Sequence, residues 1–120
     1  MKRMLALGVA AILLGAQTRP PPQTVGVIPA GKVVLGYCQL SVSTAVSLSS
    51  CSNGIPSGAA FFYATPETAS VRWRDDGVAP TASVGYPLAP PSQLVYSGNI
   101  GAIQFIAQSG TSTLNVAFYR

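Results

Sequence analysis

The chain has 120 residues, enough for one domain, with a formal charge of +4 and 8% charged residues against 48% hydrophobic ones. A disordered chain is poor in apolar residues, so that class is excluded. Nucleic-acid binding is excluded as well: Lys2, Arg3 and Arg19 lie in the N-terminal segment, and the rest sets Lys32, Arg72, Arg74 and Arg120 against Glu67, Asp75 and Asp76, without the cluster of cations that counterion release needs.

Residues 1–18 open with Lys2-Arg3, continue as an unbroken apolar run from Met4 to Ala16, and end on polar residues. This is the layout of a secretory signal peptide, and the run is too short to span a bilayer, which takes about 20 apolar residues. No stable membrane span is expected in the mature form. The alternative is an apolar helical arm that stays on the protein and packs against a partner. Residues 19–31 form a linker: Arg19-Pro20-Pro21-Pro22-Gln23 cannot continue a helix and favours an extended spacer.

From residue 32 to residue 120 the chain reads as short strands. Val33 to Val42 is rich in strand formers, with Val34, Gly36, Cys38 and Leu40 on one parity, and Ala45 to Leu48 is a weaker run. Ser49 to Gly58 is punctuated by Asn53-Gly54, a turn signal. Ala59 to Thr65 is apolar on both parities, as expected of a strand covered on both faces. In Ser70 to Arg74, Val71 and Trp73 alternate with Arg72 and Arg74, the pattern of a half-buried strand. After Asp75-Asp76-Gly77 comes a long proline-rich loop, Val78 to Pro91, and then runs at Gln93 to Tyr96, Ala102 to Ala107 and Thr113 to Tyr119. The last two predict a terminal hairpin facing the core. The whole predicts an all-β fold, a small antiparallel sandwich or barrel of about seven strands, preceded by the N-terminal apolar helix.

Cys38 and Cys51 are the only cysteines. Behind an export signal the pair reads as one disulfide closing a short loop; the alternative is two reduced, buried thiols. Two cysteines without histidine leave a zinc ion short of ligands, so no metal site is expected.

Lacking histidine, the chain also lacks any Ser-His-Asp or Cys-His arrangement. Asp75 and Asp76 are adjacent on a turn and do not form the facing carboxylate pair of a glycosidase. No catalytic residue and no cofactor are expected. Two readings attach to Arg72-Trp73-Arg74-Asp75-Asp76-Gly77. In one it is a contact loop, because aromatic and arginine side chains anchor interfaces. In the other, Trp73 is a core anchor, Arg72 and Arg74 are a solvated face, and the rest is a turn. Tyr63, Tyr86, Tyr96 and Tyr119 are scattered over separate segments and read as ordinary packing, not as a sugar-stacking platform.

Ala69 to Gly77, followed by Ala79-Pro-Thr-Ala-Ser-Val-Gly85 and Pro87-Leu88, resembles a family of small proteins encoded among phage and prophage structural genes. Ile55-Pro56 with Ala59-Ala60 upstream, and Ile103 to Gln108 with Leu114 to Tyr119 downstream, extend the resemblance from Ile55 to Arg120. It implies a virion structural role, in head decoration or as a head or tail accessory, with copies of itself or other virion subunits as partners. The leader and the cysteine pair depart from that pattern and point to a second function class. This is an exported bacterial binding module, periplasmic or extracellular, that recognises a surface ligand such as a glycan through the Trp73 turn and the Pro80 to Pro91 loop.

Overall fold

The computed structural model describes residue 28 and residues 30–120. The apolar segment 1–18 and the proline run of the linker lie outside the described residues. The remainder is all-β, with eight strands: β1 (Val34–Val42), β2 (Val46–Ser47), β3 (Phe61–Pro66), β4 (Val71–Arg74), β5 (Tyr86–Leu88), β6 (Leu94–Tyr96), β7 (Gln104–Ala107) and β8 (Ser112–Tyr119). One 3-10 turn, Leu48–Ser50, follows β2. No helix among the described residues is long and apolar enough to cross a membrane.

The strands form two antiparallel four-stranded sheets in a sandwich-like arrangement, ordered β1-β8-β3-β6 and β2-β7-β4-β5. Period-two alternation decides which side chains meet between them. In β8, Ser112, Leu114, Val116 and Phe118 are buried, and the residues between them are half-buried on the opposite face. Cys38, Leu40 and Val42 of β1, Phe62 and Ala64 of β3, Val71 of β4 and Phe105 of β7 complete the same core. Phe62 meets Phe105 of the other sheet edge-on at 6.3 Å and Phe118 of its own sheet at 6.4 Å. Burying a side chain of this size stabilises by about 1.5–3 kcal/mol, and such edge-on pairs add about 0.5–1.5 kcal/mol.

Three details differ from the sequence reading. The proline-rich stretch is not a continuous loop, because Tyr86–Leu88 pairs with β4. Strand β3 is not covered on both faces: Phe62 and Ala64 enter the core, while Tyr63 and Thr65 are half-buried on the outer side. Strands β7 and β8 do not form a hairpin. β7 pairs with β2 and β4, β8 pairs with β1 and β3, and residues 108–111 carry the chain from one sheet to the other. Both strands turn an apolar face to the core as expected, but facing each other across it satisfies that pattern as well as lying side by side.

The crossing at 108–111 runs beside another at 67–70, which joins β3 to β4. Gln108 N–H donates to Ser70 O at 3.0 Å, and Glu67 N–H donates to Thr113 O at 2.8 Å. The Ser112 hydroxyl, fully buried, donates to Ala69 O at 2.6 Å and accepts from Ala69 N–H at 3.3 Å. At the other end of the first sheet, Val33 and Arg120 exchange two backbone bonds of 2.9 and 3.0 Å. Cys38 and Cys51 are joined in a disulfide, their Cα atoms 5.8 Å apart. It ties β1 to the segment that follows the 3-10 turn.

Candidate functional site

The hexapeptide Arg72 to Gly77 lies on β4 and the turn after it, and almost every polar group in it is occupied within the chain. The alternation of β4 puts Val71, fully buried, and Trp73 on the inner side, with Arg72 and Arg74 on the outer side. From there the Arg72 guanidinium donates to Ala82 O at 3.2 Å and to Gly85 O at 2.8 Å. With its amide oxygen turned towards Arg72, Gln108 accepts from the same guanidinium at 2.8 and 3.0 Å. Arg72 therefore staples a loop to the sheet.

Arg74 and Asp76 form a two-point ion pair, with Nε–Oδ1 at 3.0 Å and Nη2–Oδ2 at 2.5 Å. The hydrogen bonds from Arg74 hold the Asp76 carboxyl below the usual carboxylate range, and the same pairing raises Arg74. Asp75 turns the other way and accepts from the Tyr96 hydroxyl at 2.6 Å. Burial, then this bond, raises the Tyr96 hydroxyl above its ordinary value. Gly77 has φ +84°, and at Gly85, φ +139°, a Cβ would stand tightly at 3.1 Å from Arg72 Cβ and Trp73 O. Left-handed backbone of this kind favours glycine. Thr81 completes the loop, its hydroxyl accepting from the N–H groups of Ser83 and Val84 at 3.3 and 3.0 Å, while Pro80 is buried.

Trp73 sits at the edge of the core. It is half-buried, packed against the buried cluster, with Tyr86 4.9 Å and Tyr96 5.8 Å from it between ring centroids. Among the side chains the loop leaves outward are three large apolar ones, Val78, Val84 and Tyr86, 52%, 49% and 63% exposed. A cleft of about 380 Å³ opens between Arg74, Asp75 and Asp76 on one side and Val84, Gly85 and Tyr86 on the other.

The structure thus brings Arg72, Trp73, Arg74, Asp75, Asp76 and Gly77 together with residues 80–86, and keeps Cys38 and Cys51 apart from them in a separate bridge. Val84 and Tyr86 fall within the Pro80 to Pro91 loop that the sequence reading named as a binding surface, although neither they nor Val78 were named individually as subunit contacts. Their signal was available in part, as large apolar residues between turn-forming ones. Among the described residues, no three of His, Cys, Asp and Glu gather in a metal-binding group. Comparison of the chain with known protein families, with characterised proteins and with solved structures finds no match.

Proposed function

We propose that this is a non-enzymatic virion structural protein, a decoration or accessory subunit that joins its neighbours through the loop of residues 75–86. The observation that carries the reading is the internal satisfaction of that loop. Arg72, Asp75 and Asp76 spend their hydrogen bonds within the chain, and the rigid loop they build turns Val78, Val84 and Tyr86 outward. A loop held in its bound shape loses little conformational freedom on association, and exposed aromatic side chains are the usual centres of subunit contacts. The residues that resemble the phage family include those that shape this loop, so the resemblance and the geometry support the same surface. The low proportion of charged residues fits a protein that works within an assembly rather than alone.

Partners in this reading are further copies of the chain or a capsid or tail subunit. A second reading, an exported binding module, draws on the disulfide, because such bonds persist in oxidising compartments. The test is co-assembly of the full chain with particles from its source, comparing the parent with a Val84→Ser, Tyr86→Ser variant. The expected result is an unchanged melting temperature and loss of incorporation. Incorporation equal to the parent, or absence of the parent from purified particles, would overturn the assignment.

A further inference from the structure

The outer face of the first sheet carries a second concave surface, remote from the loop of residues 75–86 in sequence and on the other sheet. Tyr37 of β1, Ala117 of β8 and Tyr63 of β3 lie in one cross-strand row, and Gln39, Asn115 and Thr65 form the next. Tyr119, two residues from Ala117 along β8, stacks on Phe61 at 5.1 Å with the ring planes 8° apart, which fixes its orientation. The small methyl of Ala117 thus makes a floor, with tyrosine rings on three sides and Asn115 on the fourth. The cleft measures about 250 Å³. Tyr37 is 61% exposed.

The polar groups around this floor are set in a defined order. The Asn115 carbonyl oxygen accepts from the Tyr37 hydroxyl at 2.6 Å and from the Gln39 amide at 3.0 Å, and its own amide donates to Glu67 at 3.3 Å. That arrangement fixes which way Asn115 points and leaves it one N–H to give. The hydroxyls of Tyr63 and Tyr119 have no partner among the described residues. Glu67 is the one charged side chain in this network, so the face complements neither a polyanion nor a polycation. Ring faces, a small floor, free hydroxyls and an oriented amide suit a ligand with apolar C–H faces and hydroxyls that both donate and accept. A sugar ring has that chemistry.

We propose that the outer face of the first sheet binds a neutral carbohydrate, one sugar ring seated over Ala117 between Tyr37, Tyr63 and Tyr119 and oriented by Asn115. The site does not depend on the loop of residues 75–86 or on a virion role.

The test titrates the full chain with neutral gluco-, galacto-, manno- and N-acetylglucosamine-configured oligosaccharides, read by backbone and tyrosine-ring NMR shifts. The expected result is saturable shifts centred on Tyr37, Tyr63, Asn115, Ala117 and Tyr119 with at least one of them. Tyr37→Ala and Ala117→Arg should each weaken binding by at least about tenfold. Both positions face outward, and Ala117→Arg fills the floor without removing a ring, so unchanged melting of that variant separates lost binding from lost folding. Absence of shifts with every sugar at about 10 mM would overturn the proposal. So would shifts centred on Trp73 and Tyr86. A parent that self-associates, with Ala117→Arg abolishing that association and no sugar effect, would make the face a protein contact and overturn it equally.

Discussion

Ser112 and Ala69 hold the two sheet-crossing segments together through a reciprocal pair of hydrogen bonds, the Ser112 hydroxyl giving one at 2.6 Å and receiving one at 3.3 Å. Ser112 is fully buried and the single buried polar side chain among the described residues. Removing it leaves the N–H and C=O of Ala69 short of partners in a half-buried place, which costs about 1–3 kcal/mol. Ser112→Ala is therefore expected to lower the melting temperature by about 4–8 °C for each kcal/mol lost, measured by circular dichroism or calorimetry.

The disulfide closes a loop with a sequence separation of 13 residues. Chain-entropy reasoning gives such a loop about 3 kcal/mol. Cys51→Ser should lower the unfolding free energy by that amount, read in denaturant titration as a midpoint shift of that loss divided by the slope m, and reduction of the parent should do the same. An unchanged midpoint on both treatments would show that the bridge contributes nothing to stability.

Arg72 and Arg74, equivalent by strand parity, should behave differently. Arg72→Ala removes the donors to Ala82 and Gly85, at about 1.5–3 kcal/mol for a bond from a charged group, discounted because Arg72 is only half-buried. Faster hydrogen exchange and proteolysis at residues 78–85 should accompany it. Arg74→Ala breaks a solvent-exposed pair, and exposed pairs contribute little, so its melting should match the parent.

Trp73→Ala should cost about 2 kcal/mol, below the 3–5 kcal/mol typical of a fully buried aromatic, because Trp73 is half-buried at the rim. Thermal melting measures it, and a loss as large as that of a central phenylalanine would place Trp73 deeper in the fold than its position indicates.

The two shifted groups titrate in opposite directions. The Asp76 carboxyl is lowered by Arg74, so its contribution is present above the ordinary carboxylate range and lost as pH falls through the lowered value. The Tyr96 hydroxyl is raised by burial and by Asp75 above the ordinary 10.0, so its contribution is full below that value and lost as pH rises through the raised one. Ultraviolet difference titration should show a late-ionising tyrosine that is absent in Tyr96→Phe. If the phenol lost in Tyr96→Phe is one that ionises in the ordinary range, Tyr96 is neither shielded by burial nor bonded to Asp75 in solution.

Much of the inner face was legible, because period-two alternation places Cys38, Leu40, Val71, Phe105, Leu114, Val116 and Phe118 on apolar parities. Partnership between strands was not. Leu114 and Phe105 follow the same pattern, and nothing local distinguishes two strands side by side from two strands facing each other. The role of Arg72 was equally hidden, since its acceptors are backbone carbonyls ten and thirteen residues further on, and any residue type could supply them. The tyrosines were half legible. Tyr37, Tyr63 and Tyr119 each stand next to a core residue, Cys38, Phe62 and Phe118, and so alternate outward. That they converge on Ala117 depends on β8 lying between β1 and β3, a long-range pairing that no short stretch of sequence records.

That place of β8 between β1 and β3 sets what must come together for the first sheet to fold. The first strand of the domain has no neighbour in its own sheet until the final one is made, and the final one is also the sole link from β1 to β3. A chain lacking residues 112–119 leaves β1 and Tyr37 without a sheet to join, while Tyr63 stays on the β3-β6 pair. The first sheet is therefore joined in one non-local step, the pairing of β8 with both β1 and β3. A chain stopped short of β8 is not a smaller version of the same protein, because β1 has lost its one neighbour in the sheet.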